Sequence, residues 1–238
     1  MNQVEQPTGE GANTVPTLCA EGLSCQRGQR KLFSRLSFQT QAGHALVIVG
    51  PNGAGKSSLL RIIAGLLGPT EGTVSLRNGA PDLPLREQLH YLGHDDALKG
   101  ALTVSENLAF WRDVLGRTGL GVEEALDEVG LGGLGRLPAS VLSAGQKRRL
   151  AIARLLVTRR TVWVLDEPTT ALDVTAQARF AELSRAHLAS GGIILAATHT
   201  PLDFGPSVDE LTIGAWARPV AAVAGEVADG ALNGPLSS

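Results

Sequence analysis

The chain has 238 residues, of which 43% are hydrophobic and 18% charged, with a formal net charge of −2. That is enough for one substantial core with room for a subdomain. It is not the profile of a disordered chain, and the near-neutral charge leaves no electrostatic footprint for nucleic acid. The two cysteines, Cys19 and Cys25, cannot make a disulfide framework and read as free thiols of a reducing cytosol.

Residues 1–16 are polar and rich in Gly, Pro, Thr and Asn, which predicts a flexible N-terminal arm before a folded domain over 17–213. The start carries neither a basic stretch nor an apolar core, so it is not a secretory signal. The run "ALVIV" (45–49) is followed by Gly50, "TVWVL" (161–165) by Asp166, and "IILAA" (193–197) by Thr198 and His199. Near-continuous apolar runs of this length fit strands buried on both faces of a parallel sheet. They reach about a quarter of the roughly 20 residues a membrane-spanning helix needs. In open α/β sheets ligands bind beyond the carboxyl ends of the strands, so three such ends point to one site.

Between the first and second runs, roughly 98–157, the pattern turns helical: "VSENLAFWRDVLG", "GVEEALDEVG" and "SAGQKRRLAIARLLV". A helical subdomain inserted into the sheet domain accounts for this. Residues 214–238 are Ala/Gly-rich and read as a C-terminal tail, with "VAAVAGEV" a candidate short edge element.

"GPNGAGKS" (50–57) follows a strand and opens a helix, the context that a phosphate-binding G-x-x-x-x-G-K-S loop requires. Gly50, Asn52, Gly53, Ala54 and Gly55 supply backbone N–H groups, Pro51, which has none, sets the turn between them, and Lys56, Ser57 and Ser58 begin the helix whose positive end faces a phosphate. The spacing puts Lys56 at the β- and γ-phosphates of a nucleotide and the Ser57 hydroxyl in the shell of Mg²⁺. "LDEP" (165–168) provides a carboxylate for that metal, Asp166, and Glu167 to polarise an attacking water. Taken alone, the same four residues also fit a turn acid pair before Pro168. In "VLSAGQKRRLAIAR" (141–154), Ser143 and Gln146 form an S-x-x-Q capping box that predicts a helix from Ala144. The small residues Ala144 and Gly145 at its start are also what close approach of a phosphate requires.

With "ALD" (171–173) and "THT" (198–200), these motifs resemble an ATP-binding cassette ATPase, in the family's order and from about Thr17 to Ile213. The resemblance implies an α/β P-loop NTPase (RecA-like) core, with an antiparallel β subdomain and the inserted helical subdomain. It also implies ATP and Mg²⁺ as cofactors and a head-to-tail dimer with a second ATP-binding subunit, read as a homodimer. In that dimer Ser143, Gly145 and Gln146 of one subunit close on the γ-phosphate held by the other. His199 contacts that phosphate, Glu167 is the base and Asp173 lies at the dimer contact.

Two departures refine the resemblance. In "YLGHDDALKG" (91–100), His94 occupies the position where the family usually carries a glutamine that senses the transmembrane partner, and "LTVSENLAFW" follows with Glu106 and Asn107. His94 is then a loop residue of the site, and His94-Asp95-Asp96 is not a metal cluster. In "LSCQRGQRKLF", Arg27 stands where an aromatic ring usually meets adenine. Its planar guanidinium can stack on the base or simply be solvated. Both departures are similar to the ATP-binding subunit of the cytochrome c biogenesis haem-export transporter of bacterial inner membranes. That implies an ATPase peripheral on the cytoplasmic face of the inner membrane, partnered by an integral-membrane transporter subunit and not by nucleic acid. The alternatives are a soluble cassette ATPase of translation or DNA repair, which co-fractionation with ribosomes would favour, and a regulatory subunit that binds nucleotide without turnover.

Overall fold

The computed structural model describes residues 15–214. All but the last two residues of the expected arm, and the C-terminal tail from 215 with its candidate edge element, lie outside the described residues. The elements in chain order are β1 (Thr17–Arg27), β2 (Arg30–Gln41), β3 (Ala45–Val49), α1 (Lys56–Ile63), β4 (Glu71–Arg77), β5 (Leu89–Leu92), α2 (Val104–Leu115), α3 (Val122–Glu128), α4 (Ala144–Val157), β6 (Val162–Asp166), α5 (Val174–Ala189), β7 (Ile193–Ala197) and β8 (Val208–Thr212).

The strands form two sheets. One is antiparallel with order β2-β1-β4; the other has order β5-β6-β7-β3-β8, and all of its pairings are parallel. β6 and β7 are buried at every position, as the apolar runs "VWVL" and "IILAA" require, and the terminal Asp166 of β6 is buried with them. β6 begins one residue later than "TVWVL" suggests, and Asp166 forms its last rung, opposite Ala197. The two faces of the sheet pack separately: Val162 and Val164 join the cluster of α1 and the antiparallel sheet, whereas Trp163 and Leu165 join that of α2, α3, α4 and α5. β8 is a polar edge, with Leu211 its one buried residue.

Helix starts follow from local chemistry. The Thr103 side chain accepts from the Glu106 N–H and the Glu106 carboxylate accepts from the Thr103 N–H, a capping box that opens α2. Buried Asn107 pins the preceding turn, accepting from the Lys99 N–H at 2.8 Å and donating to the Lys99 and Thr103 carbonyls at 2.9 Å. α4 starts at Ala144, as the Ser143–Gln146 pair predicts, and Asp173 caps α5 by accepting from the Ala176 N–H at 2.8 Å. α1 differs, because its N-cap is Gly55 and no side chain closes it. Among the described residues, no helix is long and apolar enough to cross a membrane.

Candidate functional site

The turn from β3 into α1 needs glycine for reasons of packing. Gly50 has φ +145°, and a Cβ there would lie 2.0 Å from the Ile213 carbonyl oxygen. Gly55 has φ +108° and rests on Leu32 and Phe33, so β2 backs the loop. The buried Lys56 ammonium folds back and donates to the carbonyls of Gly50 at 2.7 Å and Pro51 at 3.3 Å. It is thereby held against the turn that the sequence assigns to phosphates.

The ends of β6 and β7 meet this loop. The Ser57 hydroxyl donates to Asp166 Oδ1 at 3.0 Å. A hydroxyl and a carboxylate this close are oxygen donors of the kind that suits Mg²⁺, so the residues present fit that ion. Asp166 is buried, and its other oxygen accepts from the Tyr91 hydroxyl at 3.4 Å. Burial raises the pKa of Tyr91, which keeps the hydroxyl a donor, and the neighbouring Tyr91 hydroxyl in turn raises the pKa of the Arg61 guanidinium.

Glu167 sits just past the strand with φ +49°, in the left-handed region. A non-glycine residue is held there only at a cost of about 1–3 kcal/mol. Its backbone N–H donates to the Ala197 carbonyl at 2.8 Å. Its carboxylate accepts from the His199 backbone N–H at 3.2 Å, and the His199 Nε2 lies 3.5 Å from the other carboxylate oxygen. Glu167 and His199 are therefore brought together side by side.

The Ser143 region stands apart. Ser143 Oγ accepts from the Gln146 N–H at 3.2 Å while Gln146 Oε1 accepts from the Ser143 N–H at 2.9 Å. The Ser143 hydroxyl proton remains available to a further acceptor. Among the described residues, no hydrogen bond joins Ser143, Gly145 or Gln146 to the loop at residues 50–58. The need for a small residue at Gly145 also has an internal cause, since a Cβ there would meet the Ala171 carbonyl oxygen at 2.8 Å.

Arg27 ends β1, exposed, opposite Arg30. It is Arg30 that approaches the loop, its guanidinium 3.8 Å from where a Gly53 Cβ would lie. His94 is exposed and, among the described residues, makes no hydrogen bond. Asp96 does not turn toward His94; it pairs with Arg148 at 3.0 Å. No group of three His, Cys, Asp or Glu side chains among the described residues is placed to hold a metal.

Three contributors escaped the sequence reading. Tyr91 is one of the four residues of β5 and, like Arg30, carries no motif. Arg148 did leave a signal, because it shares the buried stripe of α4 with Ala151, Ile152 and Leu155, where a charge demands a partner. A groove of about 1280 Å³ opens beside this centre, lined by Leu66, Arg86, Trp111, Val114 and Arg159 together with Gly93, Asp95 and Ala97. No residue of the loop at 50–58 lines it.

Comparison with known proteins agrees with this geometry. The family model described as ABC transporter matches residues 33–170. The cytochrome c biogenesis ATP-binding export protein CcmA of Nitrobacter winogradskyi is 61% identical over 197 residues, covering 83% of this chain and 98% of that protein. Among solved structures, the dimeric post-hydrolysis state of an ATP-binding cassette bound to ADP and Pi has a TM-score of 0.70 and 25% identity, covering 82% of this chain and 96% of that one. A bacterial Atm1-family ABC exporter with ATP bound has a TM-score of 0.71 and 27% identity, covering 84% of this chain and 37% of that one.

Proposed function

Since the chain belongs to the ABC transporter family, and within it to the cytochrome c biogenesis ATP-binding export proteins, we propose that it is the subunit that hydrolyses ATP to drive a membrane-embedded exporter in c-type cytochrome biogenesis. The observation that carries the reading is the meeting of the two strand ends with the phosphate loop: Ser57 on Asp166 at 3.0 Å, with Glu167 and His199 paired beside them.

The backbone of Gly50–Gly55 and the uncapped start of α1 take up the nucleotide phosphates, and the Lys56 ammonium moves from its carbonyl partners to phosphate oxygens. Ser57 and Asp166 hold Mg²⁺, which when bound offsets the charge of the β- and γ-phosphates. Glu167 accepts a proton from the attacking water as its oxygen bonds to the γ-phosphorus. The bond from that phosphorus to the bridging oxygen breaks, leaving ADP and phosphate. His199 orients the γ-phosphate, and its backbone N–H keeps the Glu167 carboxylate aimed.

Ser143, Gly145 and Gln146 make no bond to their own loop, and they complete the site of a second copy in a head-to-tail homodimer. Arg30, paired with Arg27 across the β1–β2 hairpin, faces the nucleotide. The groove beside the loop at 93–97 receives the integral-membrane subunit, its rim carrying exposed Leu66, Leu83 and Val114. The chain works at the cytoplasmic face of the inner membrane.

The full chain, co-purified with its membrane subunit, is expected to release phosphate from MgATP, and the Glu167→Gln protein to bind MgATP with almost no release. Equal phosphate release by the two proteins would overturn the reading. Isolation of the chain on ribosomes, with no membrane companion, would overturn the transporter role.

A further inference from the structure

Arg148 is 3% exposed, and each of its five N–H donors has a partner. Nε donates to the Pro168 carbonyl at 2.9 Å. Nη2 donates to the carbonyls of Asp166 at 3.1 Å and Glu167 at 2.7 Å. Nη1 donates to the Gly93 carbonyl at 2.7 Å and to Asp96 Oδ1 at 3.0 Å. One guanidinium thus binds three successive carbonyls, from the last residue of β6 onward, and, on its other edge, the loop beyond β5.

The arrangement depends on strain. Successive carbonyls of an extended strand point in alternate directions, so three can converge only where the chain kinks. The kink is at Glu167, φ +49°, and the loop on the other edge carries a second left-handed residue, Ala97, φ +54°. Left-handed backbone at non-glycine residues persists where the surroundings enforce it. Here the enforcing group is a planar fork of fixed geometry, which lysine with three donors on a flexible stem cannot reproduce. The guanidinium is charged and its one carboxylate partner is Asp96, so the loop also supplies the counter-charge that makes the burial tolerable.

The geometry points to Arg148 as a positioning residue for ATP hydrolysis: it holds the kinked backbone that aims Glu167 and, through Gly93 and Asp96, ties that backbone to the loop lining the groove. The inference rests on Glu167 being the base. Displacement of the loop by whatever occupies the groove is then felt at Glu167 through a single side chain, with no change at the phosphate loop.

The test uses the full chain, alone and co-purified with its membrane subunit. Arg148→Lys keeps the charge and loses the fork. It is expected to lower kcat about 10- to 100-fold while the affinity for a fluorescent ATP analogue stays within about threefold. Asp96→Asn keeps an acceptor at the same place but removes the charge. It is expected to cut stimulation of turnover by the membrane subunit about fivefold or more beyond whatever it takes from the turnover of the chain alone. Turnover per bound nucleotide excludes any unfolded fraction from the rates. An Arg148→Lys protein that binds and turns over nucleotide like the parent overturns the inference, as does an Asp96→Asn protein that loses turnover alone and in the complex in equal proportion. Glu167→Gln, measured in parallel, separates the two levels: if it is inactive while Arg148→Lys is normal, only the positioning role falls. If it is active, the assignment of the base falls, and the positioning role with it.

Discussion

β5 and β6 lie side by side in the parallel sheet, pairing Leu89 through Leu92 with Val162 through Leu165, yet their ends are built in opposite ways. At the end of β6, the Asp166 and Glu167 carboxylates are each held by donors from other elements: Ser57 and Tyr91 on the first, the His199 backbone on the second. Beyond β5, His94 and Asp95 face solvent, and Gly93 and Asp96 both depend on one arginine from α4. Neighbouring strands of one sheet therefore present a fixed chemical constellation and a surface still open to a partner. The difference lies in the number and origin of the bonds, because the polypeptide emerges from the same sheet edge in both cases.

The strongest way to break this comparison is at the fixed end. Glu167→Gln preserves shape and the bond from His199 but cannot take a proton. Turnover is expected to fall about 10²- to 10⁴-fold, the usual worth of a general base, with MgATP binding retained. Single-turnover phosphate release set beside equilibrium binding measures both. A parallel loss of binding would mean that Glu167 shapes the cradle and does not act in the chemical step.

The body of β5 is as fixed as β6, which limits the open region to its end. The buried His90 ring bonds the Thr158 carbonyl at 2.8 Å, and burial lowers its pKa from 6.5 to about 3. Below pH 6.5 the unfolded chain takes a proton that the folded chain refuses. The contribution of His90 is complete above that pH and lost as pH falls toward 3. At pH 5 the loss is about 2 kcal/mol. His187, stacked on Trp163 with its rings 4.0 Å apart and held by burial at about 4, adds in the same sense. Urea unfolding of the His90→Gln protein should show an acid limb flatter by about 1.4 kcal/mol per pH unit between pH 6 and 4. Parallel limbs for the two proteins would show that His90 plays no part in acid sensitivity.

How far this contrast is legible in the sequence follows from the distance over which each feature is encoded. "GPNGAGKS" and the Ser143–Gln146 box are written within eight and four residues, so their backbone consequences, a phosphate turn and a helix starting at Ala144, can be read directly. The strand ends at Asp166 and His199 are legible because buried parallel strands leave unbroken apolar runs. The bond between Tyr91 and Asp166 spans 75 residues, and those from Arg148 span between 18 and 55. No local pattern records such pairings. The same limit leaves Asp95 and Asp96 without a role in the sequence, whereas the fold sends Asp96 to a helix 52 residues later.

Tyr91 offers a smaller perturbation at the seam between the two ends. Tyr91→Phe removes one hydrogen-bond donor to Asp166 and leaves the ring packed. About 1 kcal/mol is at stake, the net worth of one such bond. It is expected to appear as a roughly fivefold weaker enhancement of nucleotide binding by Mg²⁺, with binding in the absence of Mg²⁺ unchanged. Equal weakening with and without the metal would assign the hydroxyl to general packing.

His94 gives the smallest effect on the isolated chain and sharpens the comparison most. An exposed side chain with no hydrogen bond contributes little to the fold, so His94→Gln should shift the unfolding free energy by less than about 0.5 kcal/mol. Its neighbours Gly93 and Asp96 are fastened to Arg148, and Arg148 to the Glu167 carbonyl, so a membrane subunit pressing on this ring would push on a backbone already linked to Glu167. The substitution is therefore expected to reduce stimulation of turnover by the membrane subunit while nucleotide affinity holds. It should also leave untouched the kcat deficit of Arg148→Lys, because once the link is cut the loop has nothing to move. If the two substitutions reduced stimulation independently and additively, the loop would reach the nucleotide by a route other than Arg148.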